Sequence, residues 1–109
     1  MATVYKVLGQ VAPSATTDTT LYTVPAATSA VISTIVIANR AATSATYRIA
    51  VRPGGASIAT THYIAYDVAL ASSDSTALTL GITLGATDVV TVRASTADTT
   101  FNIFGSEIS

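Results

Sequence analysis

Apolar residues recur at every second position along most of this chain, the period of a half-buried β-strand. No stretch holds apolar residues at i, i+3, i+4 and i+7 opposite a charged face, so no amphipathic helix is predicted. Eight strands are expected. The first is Thr3–Gln10, with Val4, Lys6 and Leu8 on one face and Tyr5 and Val7 on the other. The second, Thr19–Val24, stops at Pro25, which has no N–H to give a ladder. The third, Ala30–Ala38, reads as apolar on both faces: Ile32, Thr34 and Val36 on one, Val31, Ser33, Ile35 and Ile37 on the other. Such a strand is expected either to be covered on both sides or to belong to an interface.

The fourth strand, Ala45–Arg52, should bury Tyr47, Ile49 and Val51 and turn Thr46, Arg48 and Arg52 outward. Pro53-Gly54-Gly55 is a strong turn signal. In the fifth, His62–Leu70, strict alternation sets Ile64, Tyr66, Val68 and Leu70 against Tyr63, Ala65 and Asp67, and places Tyr66 in the core with Tyr47. The sixth, Ser75–Leu80, points Leu78 and Leu80 inward, and its alternation resumes past Gly81 at Ile82 and Leu84. The seventh, Asp88–Ala94, buries Val90 and Val92. In the last, Thr99–Ile108, Phe101 and Ile103 share a face while Phe104 and Ile108 take the opposite one. Gly105 beside that switch predicts a bulge or a close backbone approach.

Short strands separated by turn signals predict an all-β fold: an antiparallel β-sandwich of about eight strands, jelly-roll-like, in a single domain over residues 1–109. Residues 1–10 are expected to be either an edge strand or an arm reaching a neighbour. Composition then narrows the function. The chain is 50% apolar but only 10% charged, against about 25% charged in ordinary soluble domains. Threonine, serine and alanine fill the difference and give a neutral surface, suited to a protein packed against others. The net charge of −1 leaves no electrostatic footprint for nucleic acid. The most apolar stretch, Ala30–Ala38, is far below membrane-spanning length, and no signal-peptide pattern opens the chain, so synthesis in a cytoplasm without membrane contact is expected.

Candidate chemistry is sparse. With no cysteine and a single histidine, His62, zinc is not expected. A general base also needs a positioned partner, and alternation turns Asp67 away from His62. Asp18, Asp74 and Asp98 fall in turns, where short acids bond the local backbone. No calcium-loop spacing is present, although an interfacial ion held by scattered oxygen ligands stays open. No catalytic residue, metal or cofactor is therefore expected. Partner contacts are expected at Tyr5, Lys6, Arg48, Arg52, Tyr63 and Phe104, with Arg48 and Arg52 forming salt bridges between subunits.

Two stretches resemble small virion structural proteins of tailed phages, above all those of cyanophages and related marine phages. They are Thr20-Leu21-Tyr22-Thr23-Val24-Pro25-Ala26 leading into Ala30–Asn39, and Leu84–Ser95 followed by Phe101-Asn102-Ile103-Phe104-Gly105-Ser106-Glu107. The resemblance covers about half the chain in the same order. It implies a β-sandwich subunit located in the virion, with no active-site residues to carry over. The expectation is a capsid decoration (cement) protein, a homo-oligomer with a trimer favoured, partnered by the major capsid protein. One alternative is a tail, neck or baseplate component or fibre adaptor, partnered by tail or neck proteins. A further alternative, a carbohydrate-binding module for host attachment, predicts a cluster of exposed tyrosines but lacks the tryptophan such sites often use.

Overall fold

A computed structural model describes residues 2–109. The described residues form nine strands: β1 (Thr3–Val11), β2 (Thr19–Thr23), β3 (Ser29–Asn39), β4 (Ala45–Arg52), β5 (Tyr63–Leu70), β6 (Ser75–Leu78), β7 (Ile82–Leu84), β8 (Val89–Ala94) and β9 (Thr99–Ile108). Two short 3-10 turns, Pro53–Gly55 and Thr60–His62, lie between β4 and β5. The strands build two antiparallel sheets packed face to face. The first runs β1-β9-β3-β6, with β7 also paired to β3; the second runs β2-β8-β4-β5. The all-β sandwich read from the alternation is the observed fold.

The strand count differs at one point. The expected sixth strand, Ser75–Leu80, ends at Leu78, and the alternation read as running on from Ser75 to Leu84 is interrupted around Gly81, whose φ of 62° suits glycine and no ladder. The two segments, β6 and β7, pair with successive stretches of β3, so they act as one interrupted edge. Leu80 lies at the break and is exposed, not inward as alternation suggested. β1 pairs with β9 from Thr3 to Val11, so the N-terminal segment is an edge strand and not a free arm.

The core lies between the sheets. Ile32, Ile35, Ile37, Phe101 and Ile103 from the first sheet meet Leu21, Val24, Tyr47, Ile49, Val90 and Val92 from the second or its ends, all buried. The Tyr47 and Phe101 rings touch edge to face across the gap, their centroids 6.3 Å apart. One end of the sandwich is tied by Asn39, a buried polar side chain with its bonds made. Its amide donates to the carbonyls of Thr43 and Ala71 at 2.9 and 3.1 Å, and its oxygen accepts from the Ala41 N–H at 3.0 Å.

Bulges correct the expected facing of several residues. Ser33 is an extra residue between Ile32, opposite Gly105, and Thr34, opposite Phe104. The insertion turns Ile32 and Ile35 to the same interior side although they are three apart. β3 is thus not apolar on two buried faces: Val31 and Ser33 are exposed on its outside. Directly across, Leu8 is an extra residue in β1. Gly105 lies beside the Ser33 bulge, opposite Ile32, and a Cβ there would overlap the carbonyl oxygen of Val31. The close approach expected at Gly105 is observed, with the bulges on its neighbours and not on β9 itself.

Candidate functional site

The strands divide their charges unequally between the two outer surfaces. The five strands of the first sheet contain only two charged residues, Lys6 and Glu107. These bind each other, Lys6 Nζ to Glu107 Oε1 at 3.0 Å. The other carboxylate oxygen of Glu107 accepts the hydroxyl of Tyr22, from β2 of the opposite sheet, at 2.6 Å. Both charges are therefore drawn to the inner side. The outer face of this sheet is left to Tyr5, Val7, Val31, Val36, Ala77 and Phe104 among serines, threonines and amides. Tyr5 is 83% exposed and Val7 48%. An open apolar depression of about 410 Å³ lies beside Tyr5, Val31 and Phe104.

The edge of this sheet is weakly guarded. β1 pairs only with β9, so its other side presents free backbone N–H and C=O groups. Natural edges are commonly blunted by an outward lysine, a proline or a bulge. Here Lys6 is held back by Glu107, and the bulge at Leu8 leaves Thr3–Val7 as a regular strand with Val4, Tyr5 and Val7 exposed.

The Lys6–Glu107–Tyr22 contact has a pH consequence. The Tyr22 hydroxyl, then the Lys6 ammonium, hold the Glu107 carboxyl below the usual carboxylate range. A carboxyl depressed in the folded state stabilises fully above its unfolded pKa, and that contribution is lost as pH falls through the folded value. Asp67 behaves in the same direction because Arg48 binds it. Wild-type Tm is expected to fall as pH drops from about 5 to about 2, and Glu107→Gln should flatten part of that slope. Thermal melts across this window check it; an unchanged slope in the variant removes Glu107 from the account.

The outer face of the second sheet is different in kind. Its strands carry Arg48, Arg52, Arg93 and Asp67, all directed outward. Arg48 forms a two-pronged bond to Asp67, Nε to Oδ1 at 2.7 Å and a terminal nitrogen to Oδ2 at 3.2 Å. Its guanidinium also lies over the Tyr66 ring, 4.1 Å from the centroid. Arg52 donates to the Thr91 hydroxyl and the Ala56 carbonyl. Arg93 lies 3.8 Å from Asp18. The arginines expected to bridge subunits thus both have hydrogen-bond partners within their own chain.

β5 departs most from expectation. Ala65 pairs with Ile49 and Tyr63 with Ala50, leaving Ile64 as an extra residue. Further along, Tyr66 and Asp67 together oppose Arg48. These two bulges bring Tyr63, Tyr66 and Asp67 onto one outer face. Tyr66 is 56% exposed, not in the core register where strict alternation placed it. The Tyr63 and Tyr66 rings meet at 84° with centroids 4.8 Å apart. Asp67 has a φ of 51°; the other non-glycine residues with positive φ lie in turns, and only Asp67 among the described residues lies within a strand. Holding an ordinary residue there costs about 1–3 kcal/mol, and such strain gathers at functional sites.

Of the six residues expected at a partner surface, the structure brings together Tyr5 and Phe104 on the uncharged face and Arg48 and Tyr63 on the opposite face. Lys6 and Arg52 are tied down internally. Alternation alone missed Tyr66 and Asp67; an acid in the middle of an otherwise apolar strand was their one sequence signal. His62 closes its own turn, its Nδ1 accepting from the Ala59 N–H at 3.1 Å. Comparisons with protein-family models, with curated proteins and with solved structures found no match. They lend no support to the expected likeness to phage virion proteins.

Proposed function

We propose that this chain is a non-enzymatic structural subunit of a phage virion, and that it decorates and stabilises the head. The observation that carries the reading is the uncharged outer face of the first sheet beside the weakly guarded β1 edge. An exposed apolar face and a free strand edge are liabilities in a solitary domain and assets in an assembly, where neighbours cover them. In this proposal the Tyr5, Val7, Val31 and Phe104 surface packs on the major capsid protein or on a second copy, within a symmetric oligomer such as a trimer. The charged second sheet faces solvent. Binding the assembled shell and not its free subunits stabilises the shell by mass action, with no chemistry required. The strand order supports the jelly-roll form of the sandwich. With β6 and β7 counted as one edge, the sheets run first-eighth-third-sixth and second-seventh-fourth-fifth.

The test is the copy number of this protein in purified virions relative to the major capsid protein, followed by rebinding of purified protein to capsids. A ratio near that of the shell subunit and saturable binding are expected. Val7→Lys, which charges the neutral face, should abolish binding while leaving Tm near wild type. A copy number far below that of the shell sinks the head assignment and favours a tail, neck or baseplate position.

A further inference from the structure

The geometry points to a saccharide-binding site at the β5 edge, built on Tyr63 and Tyr66 and walled by the Ile58–Thr60 loop. This inference stands apart from the virion reading, because it concerns the opposite surface of the sandwich. The two tyrosines, Ile58, Ala59 and Thr60 line an open depression of about 500 Å³, within the range of small-ligand sites, about 300–1,000 Å³. Their perpendicular rings form an aromatic corner. The Tyr66 ring is held by Arg48, which lies over it and is fixed by two hydrogen bonds to Asp67, and Tyr63 packs against Tyr66. The corner is thus held open in advance, which lowers the cost of ordering it on binding.

The ligand class follows from what surrounds the rings. The hydroxyls of Thr60, Tyr63 and Tyr66 can each donate and accept. The charge pair behind the rings, Arg48 and Asp67, cancels, so the site itself carries no net charge. A cationic ligand is disfavoured because Arg48 already occupies the face of the Tyr66 ring that a cation would seek. A purely apolar ligand would leave the hydroxyls without partners. A sugar ring matches both halves of the site. Its C–H face stacks on an aromatic ring, while its hydroxyls meet the hydroxyls of Thr60, Tyr63 and Tyr66. The local backbone agrees with a built site: two bulges and the left-handed Asp67 are what bring these groups to one face.

The experiment uses the full chain and defined probes: methyl glycosides of glucose, galactose, mannose, N-acetylglucosamine and glucuronic acid, with short oligomers of each. Saturation-transfer NMR detects binding, and amide shifts locate it. At least one probe is expected to bind and to shift Thr60, Tyr63 and Tyr66. Tyr66→Ala should weaken that binding about tenfold or more, while Tyr66→Phe, which keeps the ring, retains most of it. If Tyr66→Ala fails to fold, Thr60→Val and the wild-type shift map decide instead. The assignment is overturned if no probe binds, if the shifts lie elsewhere, or if a folded Tyr66→Ala chain binds as wild type does. Loss of virion binding in Val7→Lys leaves this test untouched, so the two proposals fail separately.

Discussion

Gly105→Ala is expected to lower stability by about 3 kcal/mol or more, seen as a fall in Tm of more than about 10 °C. Gly105 faces Lys6 on β1 and Ile32 on β3, and the β3 backbone beside the Ser33 bulge presses against it. A Cβ at this position would overlap the Val31 carbonyl oxygen and come within 3.0 Å of the Ile32 Cα. Those obstacles are backbone atoms, so no side-chain rotation relieves them. Relief requires β3 to move away from β9, its partner from Ser29 to Asn39, and that movement breaks the ladder at the centre of the sheet. Gly85→Ala is the control. Its Cβ would meet only Asp88 Oδ2, at an ordinary 3.8 Å, and a change within about 0.5 kcal/mol is expected. Equal melting temperatures for the two variants would show that the β3 bulge yields freely and that the close approach is not needed.

Phe101→Ala is expected to cost about 3–5 kcal/mol, from lost burial and from the cavity left behind. Phe101 is fully buried in β9, and its ring meets Tyr47 of β4 edge to face. It is one of the side chains that join the two sheets, so truncation opens a void at their shared centre instead of at a rim that could collapse. Phe101→Leu, closer in volume, should cost about 1.5 kcal/mol. Urea unfolding at one fixed protein concentration measures both, the concentration being held because self-association would add to apparent stability. A loss below about 1 kcal/mol for the alanine variant would mean that the sheets repack around the gap.

The contrast between these two sites shows what the sequence made legible. Phe101 and Ile103, two apart between turn signals, read as sharing one face from alternation alone, and they do, pointing together into the core. Tyr63 and Tyr66 read as lying on opposite faces because they are three apart; they share one face. Ile32 and Ile35 were likewise set on opposite faces and point together into the core. In each case an extra residue sits between the pair, and the extra residue is defined by what the partner strand offers opposite it. The partner is remote in sequence, so no local pattern carries the information.

The sequence by itself determined what depends on near neighbours: strand character from β-branched and alternating residues, the positions of turns, the absence of amphipathic helix, and a chain too poor in charge for an ordinary exposed surface. It also marked Gly105 as unusual. Only the tertiary structure decided which strands pair, where the extra residues Leu8, Leu21, Ser33, Ile64 and Asp67 fall, and therefore which side chains face outward. It alone drew Lys6 and Glu107 to the inner side, closed Arg48 on Asp67, and left one sheet neutral and the other charged. The physical reason is the strand's period of two. One inserted residue reverses every facing beyond it, and the insertion is set by a register between segments far apart along the chain.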